Sequence, residues 1–221
     1  NFRNENVYLD IIKDAKAHGT PVLLLKKDNG GCPCIMNDYT EGFKALMDHV
    51  IKVHGAKDTV FFAGRKENDP ESEKRIECYR QVLLENGLDF SYEQVEYGDY
   101  WSVPTVMALH RVLEKRGGKL PQAFFCANDY MAIALCEELE RLGYTIPDDV
   151  IVTGFDGVRE ADYRIPQLST CKEDHSALAA KALEIVKCFF EGRDVPDLTY
   201  NRFVPFFTES CGIITEGRSS L

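Results

Sequence analysis

No apolar run in the chain approaches the ~18–20 residues that a helix needs to cross a membrane. The first ten residues, NFRNENVYLD, have neither the basic start nor the apolar stretch of a secretion signal. Both absences point away from a membrane or secreted protein and toward the cytoplasm. Basic residues are also short: 26 Lys and Arg face 36 Asp and Glu, a formal charge of −10. A nucleic-acid surface needs clustered Lys and Arg, and no helix-turn-helix is visible, so any DNA contact must come from a separate domain. Catalytic signatures are missing as well. There is no G-x-S-x-G, no H-E-x-x-H, no phosphate loop, and no G-x-G-x-x-G. The expectation is a chain that is not an enzyme and needs no cofactor.

What remains is an ordinary globular composition, 44% hydrophobic and 28% charged, in 221 residues. That is long enough for one large domain or two small lobes. Eight cysteines are many. Most, such as Cys126, Cys136 and Cys188, lie inside apolar segments, where free Cys buries like a small hydrophobe. Their scatter suits reduced thiols rather than a disulfide framework. Cys32-x-Cys34 with His49 and His54 has the elements of a zinc site, but the cysteine spacing is too short for the usual C-x₂₋₄-C. The expectation is no metal.

The stretch Pro121–Gly157 organises the chain. Ala123–Ala127 is a short buried-strand run, and Asn128-Asp129 are good helix caps. Met131, Leu135, Leu139 and Leu142 then recur at helical spacing. After Gly143 and the turn at Pro147, Val150–Phe155 is a second apolar strand. Two apolar strands joined by an amphipathic helix form a βαβ unit, so the strands are parallel and covered on both faces. Ligands in open α/β sheets bind beyond the carboxyl ends of the strands. Asn128, Asp129 and Asp156 are therefore site candidates by topology.

Along the rest of the chain, a helix near Tyr8–Ala15 precedes a buried strand, Pro21–Leu25. Lys26–Ile35 reads as a loop and Asn37–His54 as a helix. Strands near 58–63 and 93–97 alternate with helices at 73–87 and 103–116. Gly157–Leu168 reads as a loop, Ser169–Cys171 as extended, 176–192 as a long helix, Asn201–Phe207 as the last strand, and 213–221 as a polar tail. The fold class is α/β, with two doubly wound parallel-sheet lobes. One lobe comprises 1–37 with 174–198, the other 38–173 with 199–212. The strand Pro21–Leu25 has no earlier strand beside it, so the first lobe reads as incomplete at its N-terminus and the chain as a fragment, or the ordered part of a longer one.

ANDYMAIA, then RLGYTIPDDVIVTGFDG, then IPQLSTCKED resembles the effector-binding, periplasmic-binding-protein-like core of LacI/GalR-type bacterial regulators. That family shows a-N-D-x-x-A, then G-x-x-I-P-x-D-v-x-v-x-G-F-D, then P-x-L-T-T-v-x-Q. Asp38…Gly42 and Arg75…Tyr79 match further motifs, although Cys78 stands where the family has glycine. The GDYW and closing ESCG segments look closer to sensor modules of related signalling proteins.

The resemblance implies a small-molecule effector, a sugar or related metabolite, held between lobes that close about a hinge. It also implies a homodimer. Asp156 would accept hydrogen bonds from ligand hydroxyls, and Arg75 would grip the ligand with its planar fork. Without the resemblance, Arg75 reads more readily as a solvated helix arginine, and Asp156 as a turn residue. Asn128 would face the ligand while Asp129 is structural. Tyr100, with Trp101 next to it, would supply a flat wall; packing a loop on the core is the alternative. Glu173 and His175 lie on the presumed hinge. Lys26 stands where relatives carry an acidic contact, which suggests a ligand bearing negative charge. A transporter's solute-binding protein, or a signalling scaffold that has lost ligand binding, are the alternatives.

Overall fold

The computed structural model describes residues 5–26 and 31–208. The closing ESCG segment, Cys211, the tail 213–221 and the Lys27–Gly30 part of the loop lie outside the described residues. The chain divides into two compact units, one from residues 1–38 with 174–202 and the other from residues 39–173 with 203–221.

In the first unit, α1 (Glu5–Ala17) precedes β1 (Leu24–Leu25), and β2 (Cys34–Asp38) follows. β1 and β2 are parallel, and β2 is parallel to the start of β8 (Leu198–Phe206). α7 (His175–Glu191) packs on β2. Asp174 caps α7 by accepting from the Ala177 N–H at 2.8 Å, and Gly192 ends it in the left-handed region. Two expectations need correction here. The strand expected over Pro21–Leu25 is only two residues long. The loop expected over Lys26–Ile35 ends in a strand, because Cys34 and Ile35 are buried and bonded on both sides, to β1 and β8. Pro33 hid that strand by reading as a turn residue.

The second unit holds a parallel sheet in the order β4 (Val95–Tyr97), β3 (Thr59–Ala63), β5 (Ala123–Cys126), β6 (Ile151–Thr153). Every residue of β3 and β5 is buried. Side chains alternate across a strand, so Phe61 and Phe125 face one layer and Val60, Phe62 and Phe124 the other. The first layer is closed by α2 (Thr40–Lys52) and α3 (Pro70–Glu85), through Phe43, Leu46 and Tyr79. The second is closed by α4 (Ser102–Lys115) and α5 (Asp129–Arg141), through Leu109, Leu135 and Leu139. This is the expected doubly wound α/β fold. The expected loop at 157–168 contains a short helix, α6 (Arg159–Tyr163). β7 (Thr170–Glu173) pairs antiparallel with the end of β8.

Candidate functional site

The carboxyl ends of β3, β5 and β6 lead into Arg65, Asn128-Asp129 and Asp156, and ligands in open α/β sheets bind beyond those ends. Asp69 caps α3 by accepting from the Ser72 N–H at 3.2 Å, with Pro70 opening the first turn. One and a half turns on, Arg75 is brought back over the sheet end. Its Nη1 donates to the Ala127 carbonyl at the end of β5.

The Arg75 guanidinium is surrounded by aromatic faces. Its Cζ lies 4.2 Å from the Phe155 ring centroid, 5.2 Å from that of Tyr39 and 6.0 Å from that of Tyr100. Phe155 in turn stacks on Phe203, at 5.0 Å and 7°. A cation over the electron-rich face of a ring is held in plane and in place. The Arg75 Nε is buried, and no described residue accepts its hydrogen. A donor left in that state costs ~1–3 kcal/mol, and a ligand oxygen would recover it.

Both tyrosines are fixed by carboxylates. Tyr39 Oη donates to Glu71 Oε2 at 2.7 Å, and the Tyr100 hydroxyl bonds Asp69. Burial, aided by these carboxylates, pushes both phenols well above their usual range, so they stay neutral donors. Burial alone would raise Asp69, but the Ser72 N–H, the Tyr100 hydroxyl and the Arg65 N–H hold it below the usual carboxylate range. Tyr100 lies flat against Gly64: a Cβ there would stand 2.0 Å from its Cζ.

Asn128 is itself the cap of α5, accepting from the Met131 N–H at 2.9 Å, while its Nδ2 donates to the Tyr100 carbonyl at 3.2 Å. Asp156 follows Phe155 with φ +110°, and its N–H donates to the Cys171 carbonyl at 3.0 Å. Arg75, Tyr100, Asn128 and the Phe155-Asp156 pair are thus brought into one neighbourhood. Trp101 stands apart from the rings around Arg75, 66% exposed, immediately before α4. Glu173 ends β7 in the same unit and is half-buried. His175 opens α7 and Lys26 follows β1, both in the first unit and exposed. Tyr39, Phe155, Asp69 and Glu71 had not been singled out. Phe155 was visible inside the G-F-D motif, whereas Tyr39 and the two acids carry no spacing signal.

The Cys32/Cys34 pair packs with Ile12 and Leu24 in the first unit. His49 and His54 lie ring to ring in the second, with Phe207 against His49. Among the described residues, no group of three or more His, Cys, Asp or Glu is placed to hold a metal. No described helix is long and apolar enough to cross a membrane.

Residues 48–200 match the periplasmic binding protein-like domain. The chain belongs to that family. Solved structures with a similar fold include LacI family transcriptional regulators. Catabolite control protein A of Priestia megaterium is 25% identical over 84% of this chain and 55% of its own length. The arabinose metabolism transcriptional repressor of Geobacillus stearothermophilus is 27% identical over 74% of this chain and 45% of its own. The chain thus spans about half the length of the curated relatives it matches. In fold it is similar to a LacI family transcriptional regulator from Arthrobacter sp. FB24 in complex with lactose. The TM-score is 0.74 at 20% identity, over 90% of this chain and 73% of that one.

Proposed function

We propose that this chain is the ligand-binding part of a LacI-type transcriptional regulator or of a fused signalling protein, and that its ligand is a small polyhydroxylated molecule, a sugar or related metabolite. The observation that carries the reading is Arg75. It is a guanidinium packed among Phe155, Tyr39 and Tyr100, one of its nitrogens tied to the backbone and its buried Nε unsatisfied by any described residue. A planar fork with donors to spare suits hydroxyl, carboxylate or phosphate oxygens. Tyr100 offers an aromatic face for the apolar side of a sugar ring. Asp156 accepts hydroxyl hydrogens, and Asn128 completes the polar set. Trp101, Glu173, His175 and Lys26 are proposed as further contacts.

Binding without turnover fits the chemistry. Burial pushes the nearby Cys171 thiol up to about 12, far from a nucleophilic thiolate. The ligand would act by differential affinity, shifting the population between open and closed arrangements of the hinge. The protein would work as a homodimer in the cytoplasm and reach DNA only through a separate domain. The names of the arabinose repressor and of the lactose complex support a sugar. Thermal-shift measurements against sugars, nucleobases and sugar phosphates test the proposal.

A further inference from the structure

Asp129 is fully buried, yet it belongs to neither apolar layer. Its Oδ1 accepts from Thr170 Oγ1 on β7 at 2.6 Å. Its Oδ2 accepts from the Val158 N–H at 2.8 Å, and the Gly157 N–H adds a further bond. Its own N–H donates to the Phe155 carbonyl at 2.7 Å. One side chain at the start of α5 therefore grips the strand β7 and the loop that follows Asp156. Backbone bonds run beside it, from the Gly154 N–H to the Ser169 carbonyl at 2.8 Å and from Asp156 to Cys171. The carboxylate is pressed against the loop so closely that a Cβ on Gly154 would lie 2.1 Å from Oδ1. Asp156 itself has φ +110°, a backbone state that a non-glycine residue keeps only when its surroundings impose it.

We propose that Asp129 is the positioning residue of the binding loop: it clamps residues 156–158 to β7, so that the loop presenting Asp156 moves with the strand whose last residue, Glu173, leads the chain out of the second unit. The proposal rests on the reading of Asp156 as a ligand contact. The titratable groups that face Asp129 are Asp156 from the loop after β6, Cys126 from β5 and Cys171 from β7. Burial raises both thiols. Burial first, and then the Asp156 charge, raise Asp129 to about 7 against the bonds from Thr170, Val158 and Gly157. In the protonated state, Asp129 still accepts from Val158 and can donate to the Thr170 hydroxyl. An asparagine can do the same, and an alanine cannot.

The test is amide-resolved NMR on the full chain, as wild type, Asp129→Asn, Asp129→Ala and Asp156→Asn. In the wild type, the Gly157 and Val158 amide shifts should titrate together with a midpoint of about 7. Asp129→Asn should abolish that titration and keep both amides protected. Asp156→Asn should lower the midpoint. Asp129→Ala should speed exchange at Gly157 and Val158 by roughly tenfold or more, while amides of Phe61 and Phe125 are unchanged. If Asp129→Ala does not fold, Thr170→Val, which removes the bond from β7 to Oδ1, decides the matter: faster exchange at Gly157 and Val158 supports the clamp and unchanged exchange overturns it. Unchanged exchange at Gly157 and Val158 in Asp129→Ala, or faster exchange spread equally through the sheet, would overturn the proposal. None of these readings needs a ligand, so a failed ligand screen would fall on Asp156's proposed role and not on the clamp.

Discussion

The guanidinium of Arg75 lies 4.2 Å from the centroid of the Phe155 ring, and the residue after Phe155 is Asp156. A helix residue and a strand-end residue 80 positions apart in the chain thus form one surface. The cation keeps the ring in place, the ring keeps the cation flat, and the acid at the end of the strand follows from both. Lysine at position 75 would keep the charge and lose the plane and the fork. With a ligand in hand, Arg75→Lys should therefore weaken binding by roughly 2–4 kcal/mol, close to the loss for Arg75→Ala. Titration calorimetry on the two variants measures it; a Lys variant that binds like the wild type would mean that only the charge matters.

Gly64 and Gly154 should respond differently to the same added methyl. At Gly64 the Cβ would meet the far end of Tyr100, a side chain that can swing away. Gly64→Ala should cost little stability and much affinity, because Tyr100 leaves its place. At Gly154 the Cβ would meet Asp129 Oδ1 at 2.1 Å, Leu168 Cδ2 at 2.9 Å and the Asp129 Cα at 3.2 Å. Gly154→Ala should lose about 1–3 kcal/mol, as over-packed sites do. Urea melts and binding curves on both variants separate the two outcomes.

The stability of the protein should carry a pH signature from Asp129. Its carboxyl is raised from 3.8 to about 7 in the fold. The folded state then holds a proton that the unfolded chain releases. The stabilisation is fully present below about pH 4 and is lost as the pH rises through about 7. Asp48, Asp69, Asp162 and Glu184 are shifted the other way, so the total profile mixes signs. The difference between wild type and Asp129→Asn isolates the term. It should move against the wild type by up to roughly 4 kcal/mol between about pH 4 and pH 8. Urea denaturation of the pair at several pH values checks this, and a constant difference would show that Asp129 does not titrate in that range.

Much of this architecture was legible because it is local or periodic. Asn128 before Met131 and Leu135, and Asp69-Pro70 before α3, announce helix starts, and the apolar runs TVFFA and AFFC announce central strands. The G-F-D motif that follows β6 marks Asp156. What was hidden depended on partners distant in sequence. Cys34-Ile35 is a strand because β1 and β8 flank it, which no local pattern reveals. Tyr39 belongs to the site because α3 carries Arg75 and Glu71 back beside it. Asn128 is expected to face the ligand and Asp129 to be structural; the fold uses the Asn128 side chain to cap α5 and gives Asp129 bonds to two other segments.

The thiols should be quiet in the native state and countable in the unfolded one. None of the seven described cysteines is in a disulfide, and all are buried. Burial pushes Cys136 up to about 12 and Cys126 well above its usual range. A thiol reagent at about pH 8 should react slowly with the native protein. Under denaturing, non-reducing conditions it should titrate all eight cysteines of the chain. Stoichiometric zinc by elemental analysis would reverse the reading of Cys32, Cys34, His49 and His54.

The proposed ligand site is tested most directly by one thermal-shift experiment, in which the wild type, Arg75→Ala and Asp156→Ala are screened together against sugars, nucleobases and sugar phosphates. A ligand at ~100 times its dissociation constant adds about 2.7 kcal/mol to stability, which is readily seen as a rise in Tm. The account predicts that at least one compound raises the wild-type Tm with dose and leaves both variants unmoved. A compound that raises all three equally, or a screen that moves none of them, would contradict it.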